Sequence, residues 1–413
     1  FIILFSLPML QYYTGIIQVT ALNGTYTLQE KPEFITENWF DGKYQSLYEK
    51  HIEDHAGFRE FLIKFYNQVC YSFFNTTTAK KVVIGKNGIL YEDSYIKSHS
   101  GHNFKGKKHF EKKLKKTQYL TEHLTKQNKS LVILIAPDKA SYYPEYIPDI
   151  LEYKENNNYQ LFQAMVKEYK INCIDINGWF VKAKDTTQIP LFPKSGIHWS
   201  NYAAALAMDS VGKFINKVGN HKVPKIMIKE IIKTKIPKNP DYDLGNLINI
   251  INTIDETYWY PELVYKSTGA KKPKALTVGD SFYWPIFHQD IIQNLFDNKE
   301  FWYYDHMIYP ESFNQKANNK SISLIDKVDN TDIILVLITS GALDNYAFGF
   351  IDRLYKDLTD NKGEFLLNVK HYINKIKNDP KWLNNIKEKA LTNDIDLEKQ
   401  IELDAEYMAK QDI

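Results

Sequence analysis

Two residues stand out for the chemistry their types and spacing would allow. Ser281 closes the run Ala275-Leu-Thr-Val-Gly-Asp-Ser281, an apolar stretch that ends in Gly279-Asp280. The pattern predicts a strand, a tight turn at the glycine, and a helix that begins directly afterwards. A serine so placed sits at the C-terminal end of a strand, where open α/β sheets hold their sites. The N-terminus of the following helix offers unpaired N–H groups and a dipole to a developing oxyanion. Gly-Asp-Ser alone fits helix capping by Asp280 or Ser281 equally well. The balance shifts with His198, in Lys194-Ser-Gly-Ile-His198-Trp199-Ser200. It falls on a loop just before a helix N-cap. A serine hydroxyl is a weak nucleophile and needs a base, most often histidine, within hydrogen-bond reach. His288, seven residues after Ser281, is read as packing.

The elements that must position these two residues follow from apolar periodicity. Residues 82–84 and 89–91 flank Asn87-Gly88 and read as a hairpin. Apolar positions Phe110, Leu114, Leu120 and Leu124 mark a helix over 108–127 under a lysine-rich, solvated face. Residues 131–136 form a continuous apolar run of the kind found in buried parallel strands. A helix at 156–169 and a strand at 171–176 follow. Ser200 is placed as N-cap of a helix over 201–211, whose alanines suggest close packing. Residues 220–270 read as an irregular Lys/Ile/Pro/Asn-rich insertion. Strands resume at 275–278 and 333–338, and from 360 the pattern is helical, broken at Asp379-Pro380. The alternation predicts an α/β domain with a mainly parallel sheet. The organisation expected is an N-terminal anchor or signal segment (1–20), a lead-in (21–80), the α/β domain (81–345) and a helical tail (346–413).

Composition narrows the function. Lys and Arg total 52 against 50 Asp and Glu, so the net charge of +2 gives no bulk attraction to nucleic acid or an anionic membrane surface. A hydrophobic fraction of 44% with 25% charged residues excludes disorder over most of the length. Of the basic residues only Arg59 and Arg353 are arginine. Cys70 and Cys173 are far apart and outside any CxxC, which argues against a zinc or dithiol site. No Walker motif, strand-linked GxGxxG or HExxH is present, so no metal or cofactor is expected. The nearly wholly apolar residues 1–10, without a clear cleavage site, read as a membrane anchor.

An HW motif upstream of GDSF resembles the alginate O-acetyltransferase family (AlgJ and AlgX) and the related DHHW proteins of the SGNH-hydrolase-like superfamily. Lys86-Asn-Gly-Ile-Leu-Tyr91, Ala136-Pro-Asp-Lys139 with Tyr143-Pro144, and Phe301-Trp-Tyr-Tyr304 are similar to further family segments. The resemblance spans about residues 50–345. It implies an SGNH-like three-layer fold, with Ser281 as nucleophile and His198 as base. The family's aspartate, two residues before the histidine, falls on Gly196, which cannot orient an imidazole. Either another carboxylate or a backbone carbonyl takes over, or the protein is a weakened or inactive relative. One oxyanion donor is implied to be the Ser281 N–H; Asp280, Tyr304 and Asn345 are the other positions with an open oxyanion or substrate role. Lys139 is read as structural. The implied activity is O-acetylation of a bacterial polysaccharide outside the cytoplasmic membrane, with acetyl groups delivered by a membrane-bound O-acyltransferase. A plain acetyl esterase and a non-catalytic polysaccharide-binding scaffold are the rival readings.

Overall fold

The structure, a computed structural model, describes residues 2–149, 152–218, 221–359 and 362–411. Phe1, Asn220 and residues 412–413, at the ends of the expected anchor, insertion and tail, lie outside them. Ten strands are present among the described residues: β1 (Val82–Ile84), β2 (Leu90–Glu92), β3 (Ser130–Ala136), β4 (Cys173–Asp175), β5 (Lys225–Thr234), β6 (Tyr258–Lys266), β7 (Ala275–Gly279), β8 (Phe301–Tyr303), β9 (Met307–Tyr309) and β10 (Ile333–Thr339).

Six of them form one sheet in the order β4-β3-β10-β7-β8-β9. Every neighbouring pair is parallel except the edge hairpin β8–β9. The three central strands are buried on both faces, which is why their sequences are continuous apolar runs rather than alternating ones. Side-chain alternation divides them between two cores. Val132, Leu134, Leu335 and Leu337 face the alanine-rich helix Asn201–Val218. Ile133, Ile135, Val278, Val336 and Ile338 face the helices Lys107–Lys126 and Phe350–Thr359. The result is a helix–sheet–helix sandwich with a mainly parallel sheet, as expected.

Connections leave β3 toward β4 on one side and β7 toward β8 on the other, with β10 between them. The carboxyl ends of β3, β10 and β7 therefore flank the switch point, where such sheets open a crevice.

One expectation needs correcting. Residues 220–270 are not irregular: β5 and β6 pair as a long antiparallel ribbon, and the short helix Asp243–Leu247 lies in the connection between them. The β-branched residues Ile226, Ile228, Ile231 and Ile232 were a usable strand signal, masked by the lysine and proline content. The first helix, Ile2–Thr14, has 13 residues and contains Pro8. Among the described residues no helix is long and apolar enough to cross a membrane. Downstream, the helices Lys362–Asn378, Pro380–Asn393 and Leu397–Gln411 share a small core around Ile376, Ile386 and Ile401.

Candidate active site

β7 delivers Ser281 to the crevice, though not by the turn anticipated. Gly279 has no left-handed φ. An added Cβ there would stand 3.3 Å from the Leu337 Cβ, so the glycine serves the close approach of β10. Asp280 is buried and braces the turn: one carboxylate oxygen accepts the Phe282 N–H at 3.0 Å and the other the Thr339 N–H at 2.7 Å. Burial raises its pKa, while the bonds from Thr339 and Phe282 oppose the rise. With both oxygens engaged by backbone amides, Asp280 fixes β7 to β10 at the serine. Ser281 opens a 3₁₀ turn, Ser281–Tyr283, and the helix that follows, Trp284–His288, has only five residues. A long helix dipole aimed at the serine is therefore absent from this turn. Ser281 itself is partly exposed.

His198 is brought to the same place by the loop that precedes the helix Asn201–Val218. Ser200 caps that helix, its Oγ accepting the Ala203 N–H at 3.2 Å. Trp199 is fully buried and its Nε1 donates to the Phe282 carbonyl at 2.8 Å. The residue after the histidine is thus bonded to the residue after the serine. The His198 ring meets the Phe282 ring edge-on with centroids 5.0 Å apart.

Asp243 supplies the carboxylate that Gly196 lacks. Its Oδ2 lies 2.8 Å from His198 Nδ1, while its Oδ1 accepts the Ile197 N–H at 2.7 Å. The separation is that of a hydrogen bond, but the contact does not meet hydrogen-bond geometry and is a close approach. Loosely aligned hydrogen bonds of this kind are common in unliganded sites. His198 Nε2 is buried and has no hydrogen-bond partner among the described residues, Ser281 Oγ included. Gly196 is required by packing: a Cβ there would be 2.6 Å from the Asp241 carbonyl oxygen. The backbone that brings in Asp243 occupies the space an aspartate at 196 would need.

The histidine loop is held from three sides. Lys139 is buried, and its Nζ donates to the carbonyls of Leu90 at 3.0 Å, Lys194 at 3.2 Å and Gly196. Burial lowers its pKa to about 7. Three carbonyls satisfy three ammonium donors, and the role is structural, as expected. The Leu90 N–H donates to the Lys194 carbonyl at 2.9 Å, tying in the β1–β2 hairpin. From the ribbon, Glu256 accepts the backbone N–H groups of Lys194 and Ser195 and the Ser195 hydroxyl, the last at 2.6 Å. Neighbouring Asp241 is buried, with one oxygen bonded by Asn201 at 3.1 Å and the other without a partner among the described residues. Burial pushes its carboxyl up to about 7.

Tyr304 is the remaining expected residue that the fold places at the serine. Its N–H donates to the Gly279 carbonyl at 2.8 Å. Burial raises the pKa of its phenol, whereas the Ser281 hydroxyl and backbone amide, which face it, pull the other way. Asn345 is exposed on the turn after β10, and among the described residues its amide bonds neither Ser281 nor His198. His288 stacks on Trp284 with centroids 5.5 Å apart, in keeping with a packing role. Sequence reasoning missed Asp243 and Glu256, because no local spacing relates either residue to His198.

Comparison with known proteins agrees with the motif-level resemblance. A family model described as "SGNH hydrolase-like domain, acetyltransferase AlgX" matches residues 82–281. The chain is 25% identical over 228 residues to a "Probable alginate O-acetylase AlgJ" of Pseudomonas syringae pv. tomato, covering 54% of this chain and 56% of the relative. To the protein of the same description from Azotobacter vinelandii it is 23% identical over 245 residues, covering 59% and 61%. The chain thus spans less than two thirds of the length of these curated relatives. Among solved structures it is similar to the O-acetyltransferase domain of Pseudomonas putida AlgJ at 16% identity and a TM-score of 0.42, covering 67% of this chain and 98% of that one. It is also similar to Bacillus cereus PatB1 at 12% identity and a TM-score of 0.44, covering 65% and 99%.

Proposed function

We propose that this protein is a serine-dependent O-acetyltransferase that acetylates hydroxyl groups of a polysaccharide in the bacterial cell envelope. The observation that carries the reading is the Asp243–His198 approach of 2.8 Å in a loop bonded through Trp199 to the Ser281 turn. In the first half-reaction His198 Nε2 takes the Ser281 proton as Oγ attacks the acetyl carbonyl of the donor. The tetrahedral oxyanion collapses to acetyl-Ser281, and the leaving group departs with the proton. In the second half-reaction a sugar hydroxyl gives its proton to His198 and attacks the acetyl-enzyme; the bond from the acetyl carbon to Ser281 Oγ breaks, the O-acetyl sugar leaves, and His198 returns the proton to Ser281. Asp243 holds the tautomer whose basic nitrogen points toward the serine and stabilises the imidazolium formed in each half. The Ser281 N–H and the Tyr304 phenol serve as oxyanion donors. The physiological donor is an acetyl group passed on by a membrane-bound O-acyltransferase.

Hydrolysis would use the same acetyl-enzyme, with water in place of the sugar. Labelled acetyl ester supplied together with oligosaccharides tests the choice. Label in the carbohydrate, lost in Ser281→Ala, is the expected result. Label recovered only as acetate with every acceptor tried would make the protein an esterase.

A further inference from the structure

The hairpin turn between β8 and β9 carries Tyr304 in an unfavourable conformation. Tyr304 has φ 50° and Asp305 φ 51°, two consecutive left-handed residues with the His306 N–H donating back to the Tyr303 carbonyl at 3.0 Å. Turns of this kind take Asn-Gly, because a bulky side chain is strained at positive φ. Such strain persists only where the surroundings over-determine it, and it gathers at functional sites.

The surroundings here are specific. The buried Asp305 carboxylate accepts Arg353 Nη2 at 2.6 Å and Asn319 Nδ2 at 2.7 Å. Asn319 Nδ2 also donates to the Asp305 carbonyl at 2.8 Å, and the Asn319 N–H to the His306 carbonyl at 2.9 Å. The Arg353 guanidinium lies 5.5 Å over the ring of Trp302, inside β8 itself. Just before the helix that bears Arg353, Ala347 and Phe348 form a second left-handed pair, at φ 52° and 58°. Phe348 meets the Tyr304 ring edge-on with centroids 5.1 Å apart.

The choice of side chain is informative. Fifty of the 52 basic residues are lysine, and the adjacent Asp352 is paired by Lys113 and Lys116. Arg353 bonds the Asp305 carboxylate and covers the Trp302 ring with one planar, forked group, a geometry that a guanidinium holds more rigidly than an ammonium.

We infer that Asp305, Arg353 and Asn319 are positioning residues that hold Tyr304 against Ser281 and so set the rate at which the serine is acetylated. The inference rests on the reading of Ser281 as nucleophile. The test measures acylation of the full chain by p-nitrophenyl acetate in Tyr304→Phe, Arg353→Lys, Asp305→Asn and the double variant Arg353→Lys/Tyr304→Phe. Each single change should slow acylation about tenfold or more, since small misplacements at a reacting group are costly, and Tm should fall by only a few degrees. The double variant should be no slower than Tyr304→Phe alone, because the clamp then has no phenol to hold. Should Arg353→Lys fail to fold, Asp305→Asn paired with Tyr304→Phe makes the same comparison. Multiplying rather than overlapping effects would overturn the inference, as would an unchanged rate in Tyr304→Phe. Turnover retained by Ser281→Ala would instead sink the underlying reading of the site.

Discussion

The two halves of the site are built by unlike regions. Ser281 stands at the end of β7, whose neighbours β10 and β8 bond it on both sides. Asp243 comes from the connection of a two-stranded ribbon that joins no other sheet. The first region fixes its residue by backbone pairing and two dense cores. The second fixes its residue by docking on a loop, through Asp243 to the Ile197 N–H, the Gly245 N–H to the Ser195 carbonyl, and Glu256 to Lys194 and Ser195. A nucleophile needs one exact position, which a central strand gives it. On the proposed reading, a carboxylate that orients a base can come from any element that reaches the far side of the ring, and here it comes from the connection of the ribbon.

This contrast can be broken at either end, and the largest effect is expected at the sheet. Ser281→Ala should lower acetyl transfer or acetyl-ester turnover by well over about a hundredfold, since it removes the covalent route. Because Ser281 is a partly exposed strand-end residue, thermal unfolding of the variant should match wild type. Turnover close to wild type would reduce Ser281 to a turn residue.

Lys139→Met probes the docking itself. It leaves the carbonyls of Leu90 and Gly196 unpaired, while that of Lys194 keeps the Leu90 N–H, at a cost of about 1–3 kcal/mol for each group left without a partner. The variant should be strongly destabilised, with protease cleavage around residues 194–198 before global unfolding. Wild-type stability would show that Lys139 does not hold the loop.

A smaller effect is expected from Asp241→Asn, read as stability against pH. The carboxyl is raised to about 7 in the fold from an unfolded value near 4. Between those values the folded protein holds a proton that the unfolded chain has released, so wild-type stability falls as pH rises through the window. The asparagine variant has no such group. Its Tm should equal or trail wild type at pH 4 and exceed it by about a few degrees at pH 8. An unchanged difference across that range would place the ionised carboxylate comfortably in the fold.

Legibility followed the same division. Continuous apolar runs at 131–136, 275–278 and 333–338 announce strands buried on both faces, and each is found in the central sheet. Ser281 and His198 were visible because each sits at a predicted boundary between elements. The ribbon was hidden by its composition, since lysines on its exposed edge and prolines at its turns imitate an irregular insertion. Asp243 was hidden for a deeper reason: the approach to His198 closes across 45 positions, and nothing in the spacing of either residue encodes it. Gly196 was legible as a gap but not as a cause. Only the fold shows that the Asp241 carbonyl fills the space. The three-residue strands β8 and β9 carried no periodicity to read, and with them went the clamp on Tyr304.

The claim that Asp243 completes the site is tested most directly by the rate of Ser281 acylation in Asp243→Asn, measured by stopped-flow release of nitrophenol from p-nitrophenyl acetate. An asparagine keeps the shape of the side chain but favours the wrong imidazole tautomer and gives the imidazolium no charge partner. The account predicts a fall of about a hundredfold or more at neutral pH, with unfolding unchanged. A rate within about twofold of wild type would contradict it, and would mean that His198 works without the carboxylate beside it.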